Sequence, residues 1–260
     1  MLARTLLAGF LLLLAASGAR AVLPDEIQVY TDDINAPGEL GLELHVNTTP
    51  SGRKTPDFPH EVTPHHGLRV TPEFSLGLTR TLEAGLYLPM TRDAEGRVLF
   101  GGPKVRLKWL PLRAPEDGAG WFAGLNGEYA WLNPNFEPMT RKLELRPILG
   151  WRNPDWLFSV NPVLDWALNG PERGGRPGFS PAFKASRTVA TGLALGLEYY
   201  ADLGPIGRPV PHAEQGHTLY AALEWDRGPV PIHIGIGRGL TDATDKWTIK
   251  AIFEFSFGAR

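Results

Sequence analysis

Charged residues occupy alternate positions in several short segments of this sequence, and this spacing is the pattern most able to do chemistry. Lys104, Arg106 and Lys108 are separated by single apolar residues, and Glu39 and Glu43, four positions apart, also share one parity in another segment. Charges that project into a pore select solutes by sign. Charges enclosed in a filled interior need partners, and they then support the surrounding wall instead.

Thirteen candidate lining residues lie opposite the apolar set of their own segments. They are Glu39, Glu43, His45, Arg69, Lys104, Arg106, Lys108, Glu128, Arg146, Asp165, Glu224, Lys250 and Glu254. A charged constriction predicts that exchanging the basic row for glutamate inverts ion selectivity. A lumen filled with paired side chains is the alternative, and the sequence leaves both open.

Two polar segments combine histidines with acids, a donor set that suits zinc or copper. The first segment holds His60, Glu61, His65 and His66, and the second holds His212, Glu214 and His217. Their spacing matches no metal-binding motif, so an ordinary polar loop is the better interpretation. We predict no metal and no cofactor.

A serine with a histidine base within reach is the nucleophile of many hydrolases, and in an enzyme that acts on lipids both side chains would lie on the apolar parity of their segments. The serines in alternating segments, such as Ser75 and Ser159, share the polar parity, whereas His66 and His217 have the opposite one. We therefore predict that the chain is not an enzyme.

Period-2 alternation indicates that the elements carrying these residues are β-strands. The clearest is WTIKAIFEFSF (247–257), with Trp247, Phe253 and Phe257 on one face and Lys250 and Glu254 on the other. Twelve strands are predicted, near 38–48, 66–78, 81–90, 103–111, 121–131, 141–151, 156–168, 179–186, 190–200, 216–226, 230–239 and 247–257.

Five prolines, which donate no ladder hydrogen bond, fall in or at the ends of these strands: Pro72, Pro89, Pro147, Pro162 and Pro181. They predict bulges or strand ends.

Tryptophans mark the ends of the apolar faces. Trp156 and Trp166 lie ten residues apart on one face, and Trp121 and Trp131 repeat that spacing. Ten tilted residues span roughly 25 Å, the height of a lipid-facing band. Indole prefers the interface between headgroups and acyl chains. The predicted interface anchors are Trp109, Trp121, Trp131, Trp151, Trp156, Trp166, Trp225, Trp247 and Phe257.

The connections between predicted strands alternate between long, polar loops and mostly short turns, which is typical of an up-and-down membrane barrel.

The chain of 260 residues has no cysteine and a formal net charge of −2, and it carries no basic stripe that would favour nucleic acid. We predict an all-β, 12-stranded antiparallel transmembrane barrel. Core tryptophans of a soluble β protein are the alternative, and repeated membrane-height spacing argues against them.

The N-terminus has the order of a signal peptide. Arg4 precedes an apolar run over 6–16, and Ala19-Arg20-Ala21 has the small-x-small form of a cleavage site. The predicted organisation is a signal peptide at 1–21, an N-terminal segment at 22–37 and a barrel at 38–257. The N-terminal segment is either a periplasmic extension or a plug in the lumen.

Two stretches carry a resemblance to known proteins. The final strand ends Phe253-Glu-Phe255-Ser-Phe257, and residues 25–47 read DEIQVYTDDINAPGELGLELHVN. The chain resembles Gram-negative outer-membrane barrels, and more narrowly it is similar to porin-like proteins of the MetA-pathway phenol-degradation family. The resemblance implies insertion by the barrel-assembly machinery, an outer-membrane location and transport of small solutes, including aromatic or hydrophobic ones. It implies no catalytic residues. A pore-less barrel with a structural, lipase-like or protease-like role is the alternative.

Overall fold

One antiparallel sheet closes on itself. The structure is a computed structural model that describes residues 25–115 and 118–258; the predicted signal peptide lies outside these ranges. The strands are β1 (Leu40–Ser51), β2 (Leu68–Gly77), β3 (Leu82–Tyr87), β4 (Met90–Arg92), β5 (Val98–Phe100), β6 (Lys104–Leu112), β7 (Gly120–Trp131), β8 (Arg141–Arg152), β9 (Trp156–Ala167), β10 (Gly178–Ala190), β11 (Leu193–Asp202), β12 (Gly216–Trp225), β13 (Ile232–Gly239) and β14 (Trp247–Phe257). Strand β1 pairs with both β2 and β14, which closes the barrel.

Four of these strands form two interrupted crossings of the wall. Strands β3 and β4 both pair with β2, on either side of Leu88 and Pro89. On the next crossing, β6 pairs with β3 and β5 pairs with β4. The barrel therefore has twelve crossings, and the predicted fold class is confirmed.

Two predicted boundaries are wrong. The residues between the strands predicted at 81–90 and 103–111 largely continue the hairpin, because β4 and β5 are too short for their alternation to register. The predicted strand at 179–186 extends instead to Ala190, and the turn is only Thr191 and Gly192. Gly192 has a φ of +62°, a conformation in which glycine carries no steric penalty. Charged and polar side chains at 187–188 suggest a turn from sequence, yet Arg187 pairs in the ladder with Leu195.

The prolines collect where the ladder is weakest. Pro89 lies in the break between β3 and β4. Pro162 is opposite Pro181 across β9 and β10. On its other side, the β8–β9 ladder has no pairs at 146–148, which is where Pro147 lies. Grouping Pro147, Pro162 and Pro181 on neighbouring strands confines their loss of hydrogen bonds to one patch of the wall, so a closed barrel can accommodate them.

The two faces of the wall differ in polarity. Large apolar side chains are exposed on the outside, including Trp121 at 71% and Leu197 at 55%. Polar side chains are buried inside, including His45 and Lys250 at 0%. This is the arrangement expected when the outer face meets acyl chains. Within the described residues, no helix has the length and apolar character to span a membrane.

Candidate functional site

The N-terminal segment runs through the lumen. At the short-turn end, Gly38 donates its N–H to the carbonyl of Gly77 (2.8 Å), and the N–H of Asn35 donates to Glu83 (2.7 Å). Toward the loop end, the carboxylate of Asp25 lies 3.0 Å from the ammonium of Lys104. Residues 25–37 thus pass from one end of the barrel toward the other without forming a strand.

Tyr30 is the main anchor of this segment. Its N–H donates to the side-chain oxygen of Asn161 (2.6 Å), and the hydroxyl of Ser159 donates to its carbonyl (2.6 Å). Its phenol lies 2.6 Å from the hydroxyl of Tyr87. It packs in a small buried apolar cluster formed with Leu110, Ala114, Phe122 and Ile148. Backbone groups that would be orphaned in a lumen are therefore paired, as burial requires.

The basic row of β6 is engaged in ion pairs. The ammonium of Lys104 lies 3.0 Å from a carboxylate oxygen of Glu128. The guanidinium of Arg106 lies 2.6 Å from Glu73 and 2.7 Å from Glu83. Glu83 also pairs with the third member of the row, Lys108 (3.1 Å). These contacts are those expected of paired charges that support the wall.

A second charged group lies around Lys250 of β14. Its ammonium donates to Glu198 of β11, to the carbonyl of Ile27 (2.9 Å) and to the hydroxyl of Tyr200 (3.4 Å). It also lies over the rings of Tyr200 and Tyr220, at 5.7 Å and 5.5 Å from their centroids. The cation is therefore held by a carboxylate, a backbone carbonyl and two aromatic faces, and it ties the wall to the N-terminal segment.

Glu198 gathers further groups on the same level. The ring of His233 lies 3.0 Å from it, and the ammonium of Lys184 lies 3.8 Å away. Lys184 also pairs with Glu224 at 2.9 Å. Together with Lys250, these side chains form a charged group that links β10–β14 to the N-terminal segment through the carbonyl of Ile27.

Two adjacent cavities lie on the loop side of this charged group. The outer one, the vestibule, has a volume of about 630 Å³ and is bounded partly by Phe136 and Met139. The inner one, the chamber, has a volume of about 260 Å³ and lies between the N-terminal segment and strands β8–β12 and β14. Both cavities are lined by Glu144, Val163, Ser180 and Asp202, so they are adjacent.

Acids outnumber bases on the walls of both cavities. The vestibule is lined by seven carboxylates and four cationic side chains. In the chamber the carboxylates are Glu26, Glu144, Asp202 and Asp245, and the cationic side chain is Arg146. This excess attracts cations into the loop end of the lumen, since a cleft of one sign concentrates counter-ions.

The sequence-predicted side chains lie at different depths. The buried ones are His45, Arg69, Lys104, Arg106, Lys108, Glu128 and Lys250; the partly exposed ones are Glu39, Glu43, Arg146, Asp165 and Glu224; Glu254 is exposed.

Among the predicted interface anchors, Trp151 and Trp166 are partly exposed. The rest are exposed, namely Trp109, Trp121, Trp131, Trp156, Trp225, Trp247 and Phe257. The cavities use residues absent from the predicted set, above all Glu26, Asp202, Tyr200 and Tyr220. The alternation of their strands places Tyr200 and Tyr220 on the inward side, and this is the sequence feature that could have identified them as lining residues.

The histidines predicted to lie in loops are placed in pairs. His65 and His66 stack at 3.9 Å, and His212 and His217 stack at 5.1 Å. In the part of the chain that the structure describes, the group of donors close enough for one metal ion is instead Glu43, His45 and Glu73. Glu73 already accepts from Arg106, so this group belongs to the ion-pair network.

Comparison with known proteins gives likenesses of fold. No protein-family model matches the chain, and no curated protein does. Among solved structures, an outer membrane channel from Pseudomonas putida F1 is similar with a TM-score of 0.60 and 11% identity, over 86% of this chain and 97% of that one. The NanC porin gives 0.55 and 9%, over 84% and 100%. The KdgM porin gives 0.53 and 8%, over 83% and 99%. The barrel thus has the fold of outer-membrane porin-like proteins, which confirms the broader resemblance; membership of the phenol-degradation family stays a prediction.

Proposed function

We propose that this protein is an outer-membrane channel through which small solutes pass without an energy source. The observation that carries the proposal is the pair of adjacent cavities inside a closed barrel whose outer face is apolar. A barrel that served only as a scaffold would gain nothing from a charged, solvent-sized cavity open toward its loops. The fold shared with channels and porins supports the same function.

In this proposal, the N-terminal segment narrows the lumen and sets the size of solute that passes. Ile27 and Val29 of the segment are buried at 4% and 2% exposure, inside the barrel rather than at its mouth. Passage on the β10–β14 side then requires movement at Lys250, which contacts both the wall and the segment. Export by a signal peptide at 1–21 and insertion by the barrel-assembly machinery, which would read the strand ending at Phe257, belong to the same proposal.

The finer prediction concerns aromatic solutes. Tyr200 and Tyr220 meet edge to face at 5.5 Å, and both line the chamber. Their ring faces supply a surface on which a planar solute can lie, since aromatic pairs favour offset or edge contacts. We include small aromatic molecules among the solutes on that basis.

Single-channel recording in a planar bilayer tests the proposal. The mature protein, purified in detergent, should give discrete conductance steps, and Tyr30→Ala should enlarge them because the segment loses its anchor. Tyr129→Ala is the matched control, since Tyr129 packs against Trp131 on the outer face. A silent membrane with both the mature protein and Tyr30→Ala would reject the channel in favour of a pore-less barrel with a structural or enzymatic role.

A further inference from the structure

The charge of the chamber is not balanced by its own walls. Arg146 is shared by two carboxylates, with one guanidinium nitrogen 2.9 Å from Glu144 and another 3.6 Å from Glu26. Asp202 accepts the N–H of Gly204 (3.1 Å), its hydrogen bond within the described part of the chain. The chamber therefore has more carboxyl groups than cationic side chains around its open volume.

Glu26 is the least satisfied of these carboxylates. Its side chain is 2% exposed, and neither oxygen accepts a hydrogen bond from the described residues. The side-chain nitrogens of its cationic neighbours, Arg146 and Lys104, lie 3.6 Å and 4.0 Å from its carboxylate oxygens. A buried carboxylate without donors is costly, and it gains free energy from any donor that enters the chamber.

An alkylammonium already lies against two tyrosines that line the chamber. Lys250 presents its ammonium to Glu198, to the carbonyl of Ile27 and to the rings of Tyr200 and Tyr220. A carboxylate combined with aromatic faces is a general arrangement for binding ammonium groups. The same two tyrosines also line the open part of the chamber.

We propose that the chamber is a binding site for small organic cations, namely primary ammonium compounds with a short aromatic or apolar body. The ammonium donates to Glu26 and Asp202, and the body lies against Tyr200 and Tyr220. This proposal adds a solute class to the proposed channel function. Binding in the chamber does not depend on conduction, and only passage of the solute across the membrane rests on the proposed function. Anions are disfavoured because the walls repel them.

Calorimetric titration of the detergent-solubilised protein tests the site without requiring conduction. The probes are benzylammonium, benzyl alcohol and benzoate, which share a ring and differ in charge. Benzylammonium should bind at one site, at least about tenfold more tightly than benzyl alcohol, as expected for charge-assisted hydrogen bonds. Glu26→Gln and Asp202→Asn should each weaken it by about tenfold. The control Asp226→Asn, at the opposite end of β12, should bind as the wild type does.

Each outcome separates the site from the channel. Equal binding of benzylammonium and benzyl alcohol, or tighter binding of benzoate, would overturn the ammonium site while leaving a conducting barrel as a channel. One-site binding that both chamber substitutions weaken, in a protein that is silent in bilayers, would keep the site and reject the channel. Circular dichroism of every variant shows whether the barrel has folded, and Asp202→Asn retains an oxygen for the N–H of Gly204.

Discussion

Lys250 in the last strand donates a hydrogen bond to the carbonyl of Ile27, 223 positions earlier in the chain, at 2.9 Å. The same ammonium is paired with Glu198, and both side chains are fully buried. One residue therefore holds the internal segment against the wall and pairs with a buried lumen carboxylate.

Replacing Lys250 by alanine should therefore both destabilise and loosen the barrel. Glu198 would keep His233 and the more distant Lys184 but lose its closest cation. We expect a loss of roughly 3 kcal/mol in the free energy of unfolding, measured in urea, because one partner of a buried ion pair is removed. Propylammonium added at millimolar concentration should restore part of it, whereas propanol should not. The exposed Lys54→Ala is the control, and rescue by both compounds equally would contradict an ammonium-specific site.

The basic row of β6 should act on stability rather than on selectivity. Arg106 is held by two buried carboxylates, so Arg106→Met should cost roughly 3–5 kcal/mol. Arg97 makes a comparably short pair with Asp93 (2.6 Å), but its side chain is 67% exposed, and Arg97→Met should cost well under about 1 kcal/mol. Unfolding curves in urea measure both. Exchange of Lys104, Arg106 and Lys108 for glutamate should prevent folding; a folded barrel with inverted selectivity would instead support a charged constriction.

Binding of cations in the chamber should weaken in acid through Asp245. Burial raises the pKa of Asp245 to about 6 from its usual 3.8. Because folding raises this pKa, the ionised carboxylate lowers the free energy of unfolding above pH 6. This destabilisation disappears as the pH falls from 6 toward 4. Below pH 6 the barrel thus gains stability from this residue and the chamber loses one negative charge. Benzylammonium titrations at pH 7.5 and 5 should show weaker binding at pH 5, and Asp245→Asn should reduce the difference.

The outer face should tolerate charge only away from its middle. Leu197 lies within β11 and Leu240 follows β13, and each is 55% exposed. Leu197→Arg should cost roughly 2–4 kcal/mol in lipid vesicles, because arginine near the middle of the bilayer loses hydration, whereas Leu240→Arg should be close to neutral. Folding titrations in vesicles and in urea provide the comparison. Equal tolerance at the two positions would indicate that water, rather than lipid, surrounds the barrel.

Strand count, barrel class and the assignment of faces could be predicted from the sequence because they depend on local alternation. Successive side chains of a strand point to opposite faces, so a short segment such as 247–257 already shows which residues face the lumen and which face lipid. The boundaries failed where alternation was shortest, in β4 and β5, and where Arg187 imitates a turn.

What happens inside the barrel was decided by tertiary structure. The contacts that hold the N-terminal segment join positions far apart, such as Tyr30 and Asn161, and no local pattern of residues 22–37 reports them. Parity placed Lys104, Arg106 and Lys108 on the polar side, but only the pairing and register of strands in the folded sheet brought Glu73, Glu83 and Glu128 within reach to pair with them. Glu26, Asp202, Tyr200 and Tyr220 became one chamber for the same reason. Alternation specifies the side to which each residue points, whereas the curvature and register of the closed sheet specify which residues meet.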